Sequence, residues 1–171
     1  MNSMYGTRGF TYQLACFDGD GREAWVEEWD NLIPTAGLDF LAQVPFGGAS
    51  PISNFYVGLF DKNYIPQDSA ASADLPLVIG EFVGYEEAAR PQWARQYNSG
   101  THSNASGPAV FTVSPGVTRT LYGGFVCSAE AKGGNSGLVV SVGRFDNPRE
   151  VYPDQRLELT VSIAFVAVSA T

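Results

Sequence analysis

The chain reads as an all-β protein: an antiparallel β-sandwich, jelly-roll-like, with one short helix near residues 35–43. Three observations lead there. Hydrophobic residues make up 44% of the 171 but charged residues only 16%, and 19 glycines and 10 prolines cut the sequence into short pieces. That composition suits short strands and tight turns rather than long helices. Apolar runs recur at the close spacing, roughly 8–15 residues, that marks a sandwich or barrel. The last run, residues 156–169, alternates Leu157, Leu159, Val161, Ile163 and Phe165 with Glu158, Thr160, Ser162 and Ala164, the period of a half-buried strand.

The elements follow in order. Phe10, Tyr12, Leu14 and Cys16 alternate along a first strand, DGDG at 18–21 is a turn, and 22–29 returns, so the chain opens on a hairpin. Thr35 is placed to cap a helix, with Leu38, Leu41 and Ala42 at helical spacing. Pro45 and the GGASP loop are expected to close it. Residues 54–60 read as a strand and 61–76 as a polar loop. Residues 77–83 read as a short extended segment, 92–97 as a strand and 98–108 as a loop. Runs 109–113, 118–128 and 137–145 complete about eight strands. The length is that of about one domain, with no repeat or linker. The sandwich is assigned to 10–171 and an N-terminal arm to 1–9.

Charge narrows the function. Residues 1–87 hold 13 acidic and 3 basic groups, whereas 88–171 hold 5 and 7, for a net −8. No basic run offers phosphates a binding face, so no nucleic acid is expected as a partner. No window has the ~20 apolar residues of a membrane span, and MNSMYGTRGF lacks a signal-peptide core. No membrane partner is therefore expected, and synthesis in a reducing cytoplasm is. Cys16 and Cys127 each lie in an apolar run and are expected to be buried free thiols. A disulfide would need them on adjacent strands, with Cα atoms about 5.5 Å apart.

Chemistry-bearing patterns are sparse. The twelfth position of a calcium loop starting at Asp18 is Trp29, not the required Glu. His102 is the single histidine, too few for a zinc site with the two cysteines far off in sequence. Its polar loop is also a poor support for a triad base. No GxSxG or phosphate loop occurs. No metal, no cofactor and no catalytic residue are assigned, and no enzyme is expected. The exception to weigh is GYEEAARPQW, residues 84–93, with two carboxylates, a cation and two aromatics. A glycosidase needs two carboxyls about 5–9 Å apart, and Glu86 or Glu87 would have to line a cleft. Glu87 and Arg90, however, stand at the spacing of a local ion pair, Pro91 holds Arg90 extended, and Trp93 offers the guanidinium a face. The segment is expected to be a strut rather than an active site.

That segment also carries a resemblance. Asn31, Leu32, Gly37 and Leu38 come first, then Tyr56, Val57, Gly58 and Leu59. Next come Gly84, Tyr85, Glu87, Arg90, Pro91 and Trp93, then Gly123, Gly124 and Phe125, before the alternating last strand. This succession resembles a family of small tailed-phage virion structural proteins over about residues 10–168. The block from Gly84 to Trp93 is its most specific part. The N-terminal extension and the 61–76 loop, without a clean Thr-Pro turn, depart from shorter members. The resemblance implies a non-enzymatic virion component, a capsid cement (decoration) protein or else a tail or fibre protein with a receptor- or carbohydrate-binding sandwich. For a cement protein the implied partners are the major capsid protein and further copies of the chain as an oligomer on the capsid surface. The polar end bearing Met1, Asn2, Ser3, Met4, Tyr5 and Arg8 is the expected docking arm.

Overall fold

Two antiparallel sheets form the body of the protein, in a computed structural model that describes residues 9–165. The all-β sandwich with one short helix is what the alternation implied. The arm residues Met1, Asn2, Ser3, Met4, Tyr5 and Arg8, and the last strand beyond Phe165, lie outside the described residues.

The larger sheet begins with the expected hairpin, β1 (Phe10–Phe17) and β2 (Glu23–Asp30). The last strand, labelled β9 (Arg156–Ala164), pairs with the other side of β1, so that Tyr12 faces Val161 and Leu14 faces Leu159. Their common inner face is Phe10, Tyr12, Leu14 and Cys16 against Leu157, Leu159 and Val161, all buried. Each such side chain, taken fully out of water, contributes about 1.5–3 kcal/mol. The far side of β9 is divided: β6 (Ala109–Thr112) takes one end, and β5 (Thr101–Ser103) takes the other and continues to β4 (Gln96–Asn98). The expected loop at 98–108 is thus partly a hairpin, turned by Ser99 and Gly100 at positive φ. Asn104 fills the gap between β5 and β6. Its buried amide donates to Leu159 O at 3.0 Å and accepts from Val161 N at 2.7 Å. The side chain stands in for a missing peptide group of the ladder and satisfies Leu159 O and Val161 N there.

The smaller sheet is β3 (Tyr56–Phe60), β7 (Arg119–Cys127) and β8 (Val139–Val151), in the order β3-β7-β8. Its inner face (Val57, Leu59, Leu121, Val126, Val140, Phe145) joins the main core. Its outer face is buried too. Phe60, Phe125, Cys127 and Val142 pack under Ala70, Leu75 and Ile79. Residues 61–80, read as polar loop and then a short extended segment, therefore form a lid with a second small core. The lid turns through a 3₁₀ turn at Ser72–Asp74 and a π turn at Leu75–Ile79, which Gly80 ends in the left-handed region, φ 77°. An L side chain rarely tolerates that backbone. A short apolar run has no period long enough to separate strand from helix, and here LPLVI is helical.

The helix, α1 (Thr35–Phe46), follows a two-bond bridge between Leu32 and Val142. Pro34, not Thr35, is the N-cap, and no side chain caps it; Pro45 lies inside the last turn rather than ending it. Only Gly37 of the helix is buried; a Cβ there would lie 3.0 Å from Val140 of β8. Among the described residues no helix is long and apolar enough to cross a membrane. Cys16 and Cys127 are both buried and free, as expected.

The two sheets meet at Trp29, stacked on Tyr12 at 5.0 Å and edge-on to Phe145 at 4.4 Å. Its indole lies against Gly143, where an added Cβ would fall 2.7 Å from the ring and 2.8 Å from Asp30 O. Gly143→Ala is expected to cost roughly 1–3 kcal/mol, the usual penalty for overpacking, and to lower Tm by about 2–4 °C per kcal/mol in a chain of this size; thermal unfolding followed by circular dichroism checks it. Burial, with the Asp18 charge adding to it, raises the Cys16 pKa from 9.0 to about 12. The unfolded chain releases that proton first, so stability is full below about pH 9 and falls as pH rises to about 12. Urea midpoints across that range should fall less steeply for Cys16→Ala than for the parent.

Candidate functional site

GYEEAARPQW laces the two sheets together. Its start runs along β6: Tyr85 bridges Val113, Glu86 N donates to Thr112 O at 2.8 Å and Ser114 N to Gly84 O at 3.0 Å. Its end runs along β3: Val57 N donates to Pro91 O at 2.9 Å, and Trp93 N to Phe55 O at 2.8 Å. One segment thus covers an edge of each sheet, which removes two open hydrogen-bonding edges from solvent. Tyr85 packs edge-on to Phe111 at 5.0 Å, and burial raises its pKa. Trp93 enters the core beside Phe10 and donates Nε1 to Val161 O at 2.9 Å.

Between the two edges sits Arg90, 2% exposed. Its partner is not Glu87, as the spacing suggested, but Glu81. Arg90 Nε and Nη2 donate to the two Glu81 oxygens at 2.8 and 2.7 Å. Nη1 donates to Ala129 O at 2.9 Å and to Cys127 Sγ at 3.4 Å, and Nη2 also donates to Gly134 O at 2.8 Å. A guanidinium has five N–H donors, and all five are used. Burial alone would lower the Arg90 pKa, but the hydrogen bond to Glu81, together with the charges of Cys127, Glu81 and Tyr85 around it, makes the net shift upward. The ring beneath the guanidinium is Phe125, centroid at 5.5 Å, not Trp93. Glu81 Oε2 also accepts Gly133 N at 3.1 Å, and Arg90 N donates to Glu130 O at 2.8 Å. The clasp therefore pins the 127–134 loop to the lid.

The neighbouring charges serve the same end. Glu87 accepts Thr112 N at 3.0 Å and Thr112 Oγ1 at 2.9 Å. Lys132 Nζ donates to Tyr85 O at 2.9 Å and Glu87 O at 2.6 Å, and lies 4.3 Å from the Tyr85 ring centroid. Glu86 is exposed. Neither Glu86 nor Glu87 lines a depression described below. Tyr85, Arg90 and Trp93 are buried and tied to both sheets, and Glu81 takes the place expected for Glu87 as the partner of Arg90. Glu81 and Arg90 are nine positions apart, and no local pattern links them; Glu81 is placed by its bridge to Phe60 of β3, and Arg90 by its backbone bond to Glu130 O.

Arg95 contrasts with Arg90, and the sequence did not single it out. It is half-buried, with Cζ 5.2 Å from the Phe55 ring and 5.3 Å from the Trp93 ring. It makes one side-chain hydrogen bond, Nη2 to Ser53 O at 3.3 Å, and pairs with no carboxylate among the described residues. Burial lowers its pKa. It stands where two depressions meet. One, about 270 Å³, is an apolar groove beneath α1 walled by Phe40, Leu41, Val44, Ile52, Phe55 and Ile163. The other is a polar depression of about 350 Å³ that reaches Ser53, Gln92 and Tyr97; both touch Trp93, Arg95 and His102. The available signal was the pair Trp93 and Arg95 on one side of an extended chain.

A larger depression of about 650 Å³ opens on the outer face of the six-stranded sheet, around Gln13, Glu28, Asp30 and Asp146. Gln13 Nε2 already donates to Glu28 at 2.6 Å. Among the described residues no group of three or more His, Cys, Asp or Glu is arranged to hold a metal ion. No family model and no curated protein sequence matches the chain.

Arg90→Met should leave Glu81 buried without a counter-charge and cost about 3–5 kcal/mol. Adding Glu81→Leu should recover most of that loss, because the uncompensated charge goes too. Glu87→Gln should cost about 1–3 kcal/mol. Urea unfolding of the four proteins gives the comparison.

Proposed function

We propose that this chain is a non-enzymatic structural component of a tailed-phage virion, a capsid cement protein that binds the lattice of the major capsid protein. The observation that supports it best is the fate of the block on which the resemblance rests. Glu87, Arg90 and Trp93 are engaged in internal side-chain bonds, and Tyr85 is packed against Phe111, so that two sheet edges, a lid and a loop are locked together. Such a device suits a part that must hold its shape under load. The outward-facing apolar side chains point the same way. Phe46 is 92% exposed, and Leu77 and Val78 project from the lid at 77% and 55%; large exposed apolar groups mark contact surfaces. The copies associate on the lattice, where repetition of a weak contact around a symmetry axis raises avidity by about 10² or more.

A tail or fibre protein is the second reading. The Tyr97 ring, 67% exposed and 5.1 Å from that of His102, is a platform on which a sugar ring can stack. Copy number separates the two. Quantitative mass spectrometry of purified particles should find the chain at a fixed, high ratio to the major capsid protein, and particles lacking it should assemble but release DNA at a lower temperature. A few copies, confined to the tail, would replace the first reading with the second.

A further inference from the structure

We propose that the apolar groove beneath α1 docks an extended segment of another protein, one that offers an apolar side chain to the groove and a carboxylate to Arg95. The two arginines of this region make the case by contrast. Arg90 has every donor filled and no room for a visitor. Arg95 has one long hydrogen bond, to Ser53 O at 3.3 Å, and no carboxylate partner among the described residues. Residues 1–8 and 166–171 contain no Asp or Glu. The Arg95 guanidinium is nevertheless held in place, against Phe55 and Trp93 at 5.2 and 5.3 Å. A planar cation pre-positioned on aromatic faces loses little freedom when a carboxylate binds it bidentately. The half-buried setting leaves it partly desolvated before binding, as its lowered pKa reflects.

The groove supplies the rest of the recognition. Its volume, about 270 Å³, is near the low end of ligand pockets, about 300 Å³, and takes the side chains of a short segment. Apolar walls give affinity without direction, and Arg95 at the junction with the polar depression gives register. The occupant is thus defined by two groups at a fixed separation, and the inference stands whether the neighbour belongs to a head or a tail.

The test is selection of random linear peptides on beads against the full chain, with affinities then read by fluorescence polarisation. Enriched peptides should share a large apolar residue near an Asp or Glu. Replacing that acid by its amide should weaken binding roughly tenfold or more, the loss expected when a charged partner is left alone. Arg95→Met should cause a similar loss, and against this variant the amide peptide should lose little further. Val44→Gln, on the groove wall, should also weaken binding. The acid-to-amide comparison leaves the protein unaltered, so it decides the matter even if Arg95→Met is unstable. The proposal is overturned if no peptide is enriched, if enriched peptides lack an acid, or if the amide peptide binds as well as the acid. It is likewise overturned if peptides bind only after residues 1–8 are deleted, which would make the chain its own occupant. Sedimentation showing a dimer that Arg95→Met dissociates would assign the groove to a second copy instead.

Discussion

The buried pair of Glu81 and Arg90 is the interaction on which the rest depends. Taking both ions out of water costs several kcal/mol each. The cost is met because no donor of Arg90 is left over and Glu81 also receives Gly133 N. Three otherwise separate pieces converge there: the lid that ends at Glu81, the lacing segment that carries Arg90, and the loop from Cys127 to Gly134. Hydrophobic contact alone would let each slide. A fully satisfied polar hub fixes one arrangement among many of similar burial.

From that constraint follows a division of labour. Interior charges are matched. Glu81 meets Arg90, and Glu27 meets Arg149, with Oε2 2.7 Å from Nη2. At the α1 end the pattern reverses. Apolar side chains line an open groove, and Arg95 stands beside it without a charged partner among the described residues.

The strands were legible where burial is one-sided. β1, β2 and β9 face a core on one side and solvent on the other, so Leu14 and Leu159 announce themselves by alternation with Gln13 and Thr160. The small sheet, buried on both faces, showed only as apolar runs; its existence was legible, its cover was not. Leu75 and Ile79 looked like part of a loop and of a short extended segment because a single π turn has no period to detect. The strut was legible in composition, since an arginine before a proline beside two aromatics suggests a held cation. Its partner was not, because Glu81 is placed by its bridge to Phe60 of β3 rather than by spacing. Asn104 was hidden because it acquires its role from β9, far away in sequence, and Arg95 because half of its aromatic seat is Phe55, forty residues earlier.

The side-chain nitrogens of the two arginines report directly on the clasp of Glu81 and Arg90, and NMR of the protein labelled at arginine with nitrogen-15 reads them. Arg90 should show separate, slowly exchanging Nη–H signals, since each proton has its own acceptor and rotation about Cζ–N must break several bonds at once. Arg95 should show Nη–H signals averaged by rotation and fast exchange with water. Averaged, rapidly exchanging signals from Arg90 in the folded protein would contradict the account, because a guanidinium free to rotate cannot hold the lid, the lace and the loop together.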